Sequence, residues 1–79
     1  MIPLYGFLQG DTVGLLILAD EEDTAATLIH KLETSARVRV KPRENLVVLH
    51  EGRVLEPQVT VAQANIEPLD RIDVVEDPG

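Results

Sequence analysis

The sequence has no cysteine and no tryptophan, and Tyr5 and Phe7 are its only aromatic residues. Without thiols there can be no disulfide framework, thiolate metal site, iron–sulfur cluster or cysteine nucleophile. The missing disulfides fit a cytoplasmic setting. With so few aromatics, the core must be aliphatic. No apolar run approaches the ~18–20 residues that span a bilayer, and no basic segment followed by an apolar one opens the chain. A membrane partner is therefore not expected. Basic residues are scarce too: 7 against 14 acids, for a formal charge of −7. That balance disfavours binding to nucleic acid over the whole surface.

What remains is 79 residues, 44% hydrophobic and 27% charged, within ordinary globular usage. One domain over residues 1–79 is expected, because a chain of this length has no room for a second core. Ile2 to Leu8 and Val13 to Ala19 read as two strands joined by a turn at Gly10-Asp11. Leu15, Ile17 and Ala19 alternate onto one face, and Tyr5 and Phe7 are expected to share it. The acidic run Asp20-Glu21-Glu22-Asp23 leads to Thr24, the expected helix N-cap, with Asp23 as competitor. Ala25, Leu28, Ile29 and Leu32 then form a helical stripe, with Lys31, Glu33 and Thr34 facing outward and an end near Ser35.

From Ala36 the period becomes two, and Arg37, Arg39 and Lys41 share one side of an extended segment that Pro42 ends or keeps at a sheet edge. Leu46 to His50 and Val54-Leu55 are strands about a Glu51-Gly52 turn. Thr60 caps a single helical turn over Val61 to Ala64, and Ile72 to Val75 is the last strand, paired with the first. The order β-β-α-β-β-β points to an α+β roll, one helix across one mixed sheet.

Several motifs resemble ubiquitin along nearly the whole chain: Asp23-Thr24 at the helix start, Leu49-x-x-Gly52-x-x-Leu55, Thr60-Val61-x-x-x-Asn65-Ile66 and Ile72-x-Val74. The fold this implies is a ubiquitin-like β-grasp. A narrower set is similar to the small B (gamma) subunit of bacterial toluene-monooxygenase-type hydroxylases, over about residues 13–75. It comprises Val40-Lys41-Pro42-Arg43-Glu44, Pro57-x-x-Thr60-Val61-Ala62-x-x-x-Ile66-x-Pro68 and Ile72-Asp73-Val74-Val75. That resemblance implies a cofactor-free accessory subunit seated on a large diiron (alpha-type) subunit.

The chemistry available agrees with a non-catalytic role. Ser35 is the sole serine, and pairing it with His30 or His50 would rest on chance. No His-x-x-x-His or Glu-x-x-His spacing exists, so both histidines are expected as solvated surface groups, with no metal and no cofactor. The acidic run lacks the glycine and the distal glutamate of a calcium loop. Glycines are dispersed and make no phosphate cradle. No catalytic residue is expected.

Two contact surfaces are expected instead. Residues 31–43 hold five of the seven bases and one acid, a local charge of +4, so the remainder carries −11. Arg37, Arg39, Lys41 and Arg43 are thus candidates for a partner interface, or for a charged edge that resists aggregation. No aromatics interleave them for base stacking. The ubiquitin likeness places Leu49 and Val75 in a second candidate patch, where they could equally pack on their neighbours. The alternatives to an accessory subunit are a freestanding protein-interaction module and a carboxyl-terminal carrier. A carrier would present a terminal diglycine, whereas this sequence closes on Asp77-Pro78-Gly79.

Overall fold

A computed structural model describes residues 1–9, 14–36 and 45–77. The expected turn at Gly10-Asp11, the extended segment through Arg37, Arg39 and Lys41, and Pro42 lie outside the described residues. Six elements follow the expected order: β1 (Ile2–Leu8), β2 (Leu15–Ala19), α1 (Ala25–Ala36), β3 (Leu46–His50), β4 (Arg53–Leu55) and β5 (Arg71–Glu76). The strands form one sheet in the order β2-β1-β5-β3-β4. The central pair, β1 with β5, is parallel, and the other pairs are antiparallel. This is the mixed sheet and single helix of a β-grasp.

Alternation of side chains gives the sheet two faces, and α1 covers one of them. Leu4, Leu8, Ile17, Val48, Ile72 and Val74 are buried from the sheet side, Ala25, Leu28 and Leu32 from the helix, and Val61 and Ile66 from the segment closing the end. Leu4, Leu32, Val48, Ile72 and Val74 are wholly excluded from water. Each contributes about 1.5–3 kcal/mol of transfer free energy, most of it offset across so short a chain by lost conformational entropy.

The structure corrects one expectation about β1. Tyr5 and Phe7 do not join the buried face. Leu4, Gly6 and Leu8 do, while Tyr5 is 45% exposed. Both faces of β1 are apolar, so alternation alone could not choose between them. Gly6 decides the matter, because a Cβ there would lie 2.6 Å from Leu32 Cδ2. The helix thus comes close to the sheet at a point where β1 has no side chain. Phe7 lies on the other face, its ring against Gly14 and beneath the Arg71 guanidinium, 4.1 Å from the ring centroid.

Thr24 is the N-cap, its Oγ1 accepting the Thr27 N–H at 3.3 Å. Asp23, the competitor, instead accepts from the Asp20 N–H and from Lys31 Nζ at 2.6 Å. Lys31 does not simply face solvent, for the same ammonium donates to the Leu18 carbonyl at 2.8 Å and ties α1 to β2. The segment after β4 is stitched to the helix start through Ala25 N–H to Val59 O and Val61 N–H to Asp23 O. Thr60 and Gln63 exchange side-chain and backbone bonds as a capping box, and the turn they open closes at Asn65, whose φ is 55°.

Candidate functional site

The sheet face opposite α1 is the first candidate site. Register places Tyr5 opposite Leu16 and Pro3 opposite Leu18 on β1 and β2. Leu16 is 60% exposed and Leu18 51%. Across the sheet, Val47 lies opposite Val75, and Leu49 opposite both Asp73 and Val54. Aliphatic and aromatic side chains thus occupy this face on all five strands. Its centre is polar: Arg71 Nη2 pairs with Asp73 Oδ1 at 3.0 Å while the guanidinium stacks on Phe7. A soluble surface seldom gathers this many large apolar groups without a contact to make.

The sequence-derived patch falls on this face. Leu49 and Val75 are diagonal neighbours on adjacent strands, each half-buried against the side chains around it. What the sequence did not disclose was the continuation through Tyr5, Leu16, Leu18 and Val54. The clue available was the apolar character of both alternating sets in β1 and β2. Arg37, Arg39, Lys41 and Arg43 lie outside the described residues.

The free edge of β2 is partly closed. Pro3 has no N–H, so the Pro3–Leu18 pair cannot exchange ladder bonds and the Leu18 carbonyl points outward. Lys31 covers it, as charged groups commonly protect edges.

A second cluster lies at the end of β3. His50 was expected as a solvated group, but its side chain is only 7% exposed. It continues the inward-facing set of β3 after Val48, and the loop before β5 brings Asp70 to it. Nε2 lies 3.0 Å from Asp70 Oδ2 and 3.7 Å from Glu51 Oε1. The Glu67 N–H donates to the same Asp70 oxygen at 2.9 Å. That bond, then the one to His50, holds the Asp70 carboxyl below the usual carboxylate range. Asp23 is lowered likewise, first by Lys31 and then by the Asp20 N–H. His30 is exposed on α1, as expected. Among the described residues, no helix is long and apolar enough to cross a membrane.

Comparison with known proteins agrees with this architecture. The sequence profile of "Toluene-4-monooxygenase system protein B (TmoB)" matches residues 1–75, reaching further toward the N-terminus than the short motifs do. A chain of a toluene 4-monooxygenase HD complex with the inhibitor 4-bromobenzoate superposes with a TM-score of 0.89 at 24% identity, over 96% of this chain and 98% of that one. Caldiarchaeum subterraneum ubiquitin gives 0.79 at 13% identity, over 99% and 95% of the two chains. A de novo design based on ubiquitin gives 0.81 at 24% identity, over 99% and 90%. No curated protein matches the sequence significantly. With the profile spanning nearly all of the chain and the fold ubiquitin-like throughout, the chain belongs to the TmoB family and is an accessory component of a toluene-monooxygenase-type system.

Proposed function

We propose that the chain is a non-catalytic subunit of a toluene-monooxygenase-type hydroxylase and that it docks on a larger, diiron-bearing subunit through the uncovered face of its sheet. The family match over residues 1–75 carries this reading. The face supports it: an exposed apolar field surrounding a self-paired Arg71–Asp73 couple offers area to bury against a partner. Exposed Tyr5, Leu16, Leu18 and Val54 are the groups whose removal from water would drive association. The Arg71–Asp73 pair at the centre would be desolvated with both partners in place, so it would set orientation more than affinity.

Co-expression with the large subunit of a toluene-monooxygenase-type hydroxylase from the same source tests the reading. A complex that survives affinity capture on either chain and size exclusion is the expected result. The isolated chain should turn over no aromatic substrate. Separate elution of the two chains, or turnover by this chain alone, would overturn the proposal.

A further inference from the structure

We infer that His50, Glu51 and Asp70 form a site for one divalent transition-metal ion of the zinc class. Each offers one donor atom, and the three donors lie within 4.8 Å of one another. They come from three separate pieces of the fold: the last residue of β3, the turn to β4 and the loop before β5.

Zinc binds imidazole nitrogen and carboxylate oxygen at about 2.0–2.2 Å, so donors in a tetrahedral shell stand about 3.4 Å apart. Here the separations from His50 Nε2 are 3.0 Å to Asp70 and 3.7 Å to Glu51, on either side of that value. The third separation, Glu51 to Asp70, is within 4.8 Å, so an ion would enter as the exposed Glu51 side chain swings in by up to about 1.4 Å. Its remaining position would open to a hollow of about 300 Å³, bordered by Gly52 and Arg71, which has room for water. Arg71 is not free to compete for the carboxylates, because Asp73 and the Phe7 ring already hold its guanidinium.

The donors are also oriented in advance. The His50 side chain is more than nine-tenths buried, with its Nε2 directed at the two carboxylates. The Glu67 N–H aims Asp70 in the way outer hydrogen bonds orient metal ligands. Glu51 has φ 53° and Gly52 φ 78°, a two-residue type I′ turn that fixes where the glutamate leaves the backbone.

Chemistry selects the ion class. One neutral imidazole and two carboxylates balance a dipositive charge, and the nitrogen donor favours zinc, nickel or copper over magnesium or calcium. The ion would take the place of the hydrogen bond between His50 Nε2 and Asp70, binding the neutral imidazole tautomer that carries its ring proton on Nδ1. The ion would then tie the β3–β4 turn to the loop before β5. Binding the folded state alone, it would raise thermal stability.

The test is titration of the full chain with zinc sulfate, read by calorimetry, thermal melting and the imidazole nitrogen resonances. One equivalent should bind, the melting temperature should rise with zinc concentration, and the Nε2 resonance of His50 should shift while His30 stays in place. Glu51→Gln changes an exposed side chain and should leave the fold intact while weakening zinc at least tenfold. His30→Gln should have no effect. No binding at about 1 mM zinc, where even a 4 kcal/mol site would fill by half, would overturn the inference. Unchanged affinity in Glu51→Gln, or a shift at His30 instead, would do the same. None of these readouts depends on a hydroxylase partner.

Discussion

Leu32 lies against the backbone of Gly6, so that a methyl group at residue 6 would meet Leu32 Cδ2 at 2.6 Å and Cγ at 2.9 Å. Leu32 is wholly buried, and its side chain has nowhere to retreat. Gly6→Ala should therefore destabilise the fold by about 1–3 kcal/mol, the usual cost of overfilling a packed core. A fall in the urea midpoint at constant m would show it. Adding Leu32→Val should recover part of the loss. Full stability in Gly6→Ala alone would contradict the close approach of Leu32 to β1.

Acid should unfold the protein partly through Asp23 and Asp70. Both carboxyls are lowered from the ordinary value of 3.8. Between that value and the lowered one, the unfolded chain binds more protons than the folded chain, so stability falls as pH falls. The contribution is fully present above the unfolded-state value and disappears as pH drops through the folded-state value. Asp70→Asn keeps an acceptor for the Glu67 N–H but has no charge to titrate. Its stability curve should be flatter below about pH 4 than that of the parent. An unchanged acid limb in both Asp70→Asn and Asp23→Asn would contradict the assignment.

Lys31 ties α1 to β2 and to the turn between them through one ammonium, at 2.6 Å from Asp23 Oδ2 and 2.8 Å from the Leu18 carbonyl. The pair is partly exposed, with side-chain accessibilities of 33% and 18%. Screening by solvent therefore keeps its contribution to no more than about 1 kcal/mol. A double-mutant cycle with Lys31→Ala and Asp23→Ala should return a coupling of that size, reduced by salt. Lys31→Ala should also uncover the Leu18 carbonyl on the β2 edge, and concentration-dependent association should increase.

Two docking surfaces can be separated by charge. Leu49→Asp and Leu16→Asp alter the uncovered sheet face, whereas Arg39→Glu alters the basic run. Each leucine variant should fold as the parent does, by circular dichroism, yet lose capture by the large hydroxylase subunit at least tenfold. Arg39→Glu should change the association rate and its salt dependence more than the dissociation rate, as peripheral charges do. Loss of capture with Arg39→Glu alone would move the interface to the basic run.

How much of this was legible beforehand depended on how local each signal is. Strand β3 spans Leu46–His50 as expected, because its apolar run is bounded by Asn45 and the Glu51-Gly52 turn. Thr24 and Thr60 were legible as caps because each directly precedes a local turn, and each accepts the N–H three residues on. The inward face of β1 was not legible, since its two alternating sets are equally apolar and the choice belongs to Leu32. Nor was the burial of His50, whose partner Asp70 is twenty residues away and arrives only when β5 pairs with β1 and β3.

The sequence by itself determined which stretches are helix and strand, that the core is aliphatic, and that no thiol chemistry is available. Those properties follow from side-chain type and spacing within a few residues. Tertiary structure alone decided which apolar residues stay outside, how Leu49 and Val75 become part of a larger face, and that His50, Glu51 and Asp70 meet. Each of these depends on strand register and helix approach. Groups far apart in the chain come within a few ångströms only after the sheet has closed around its parallel central pair.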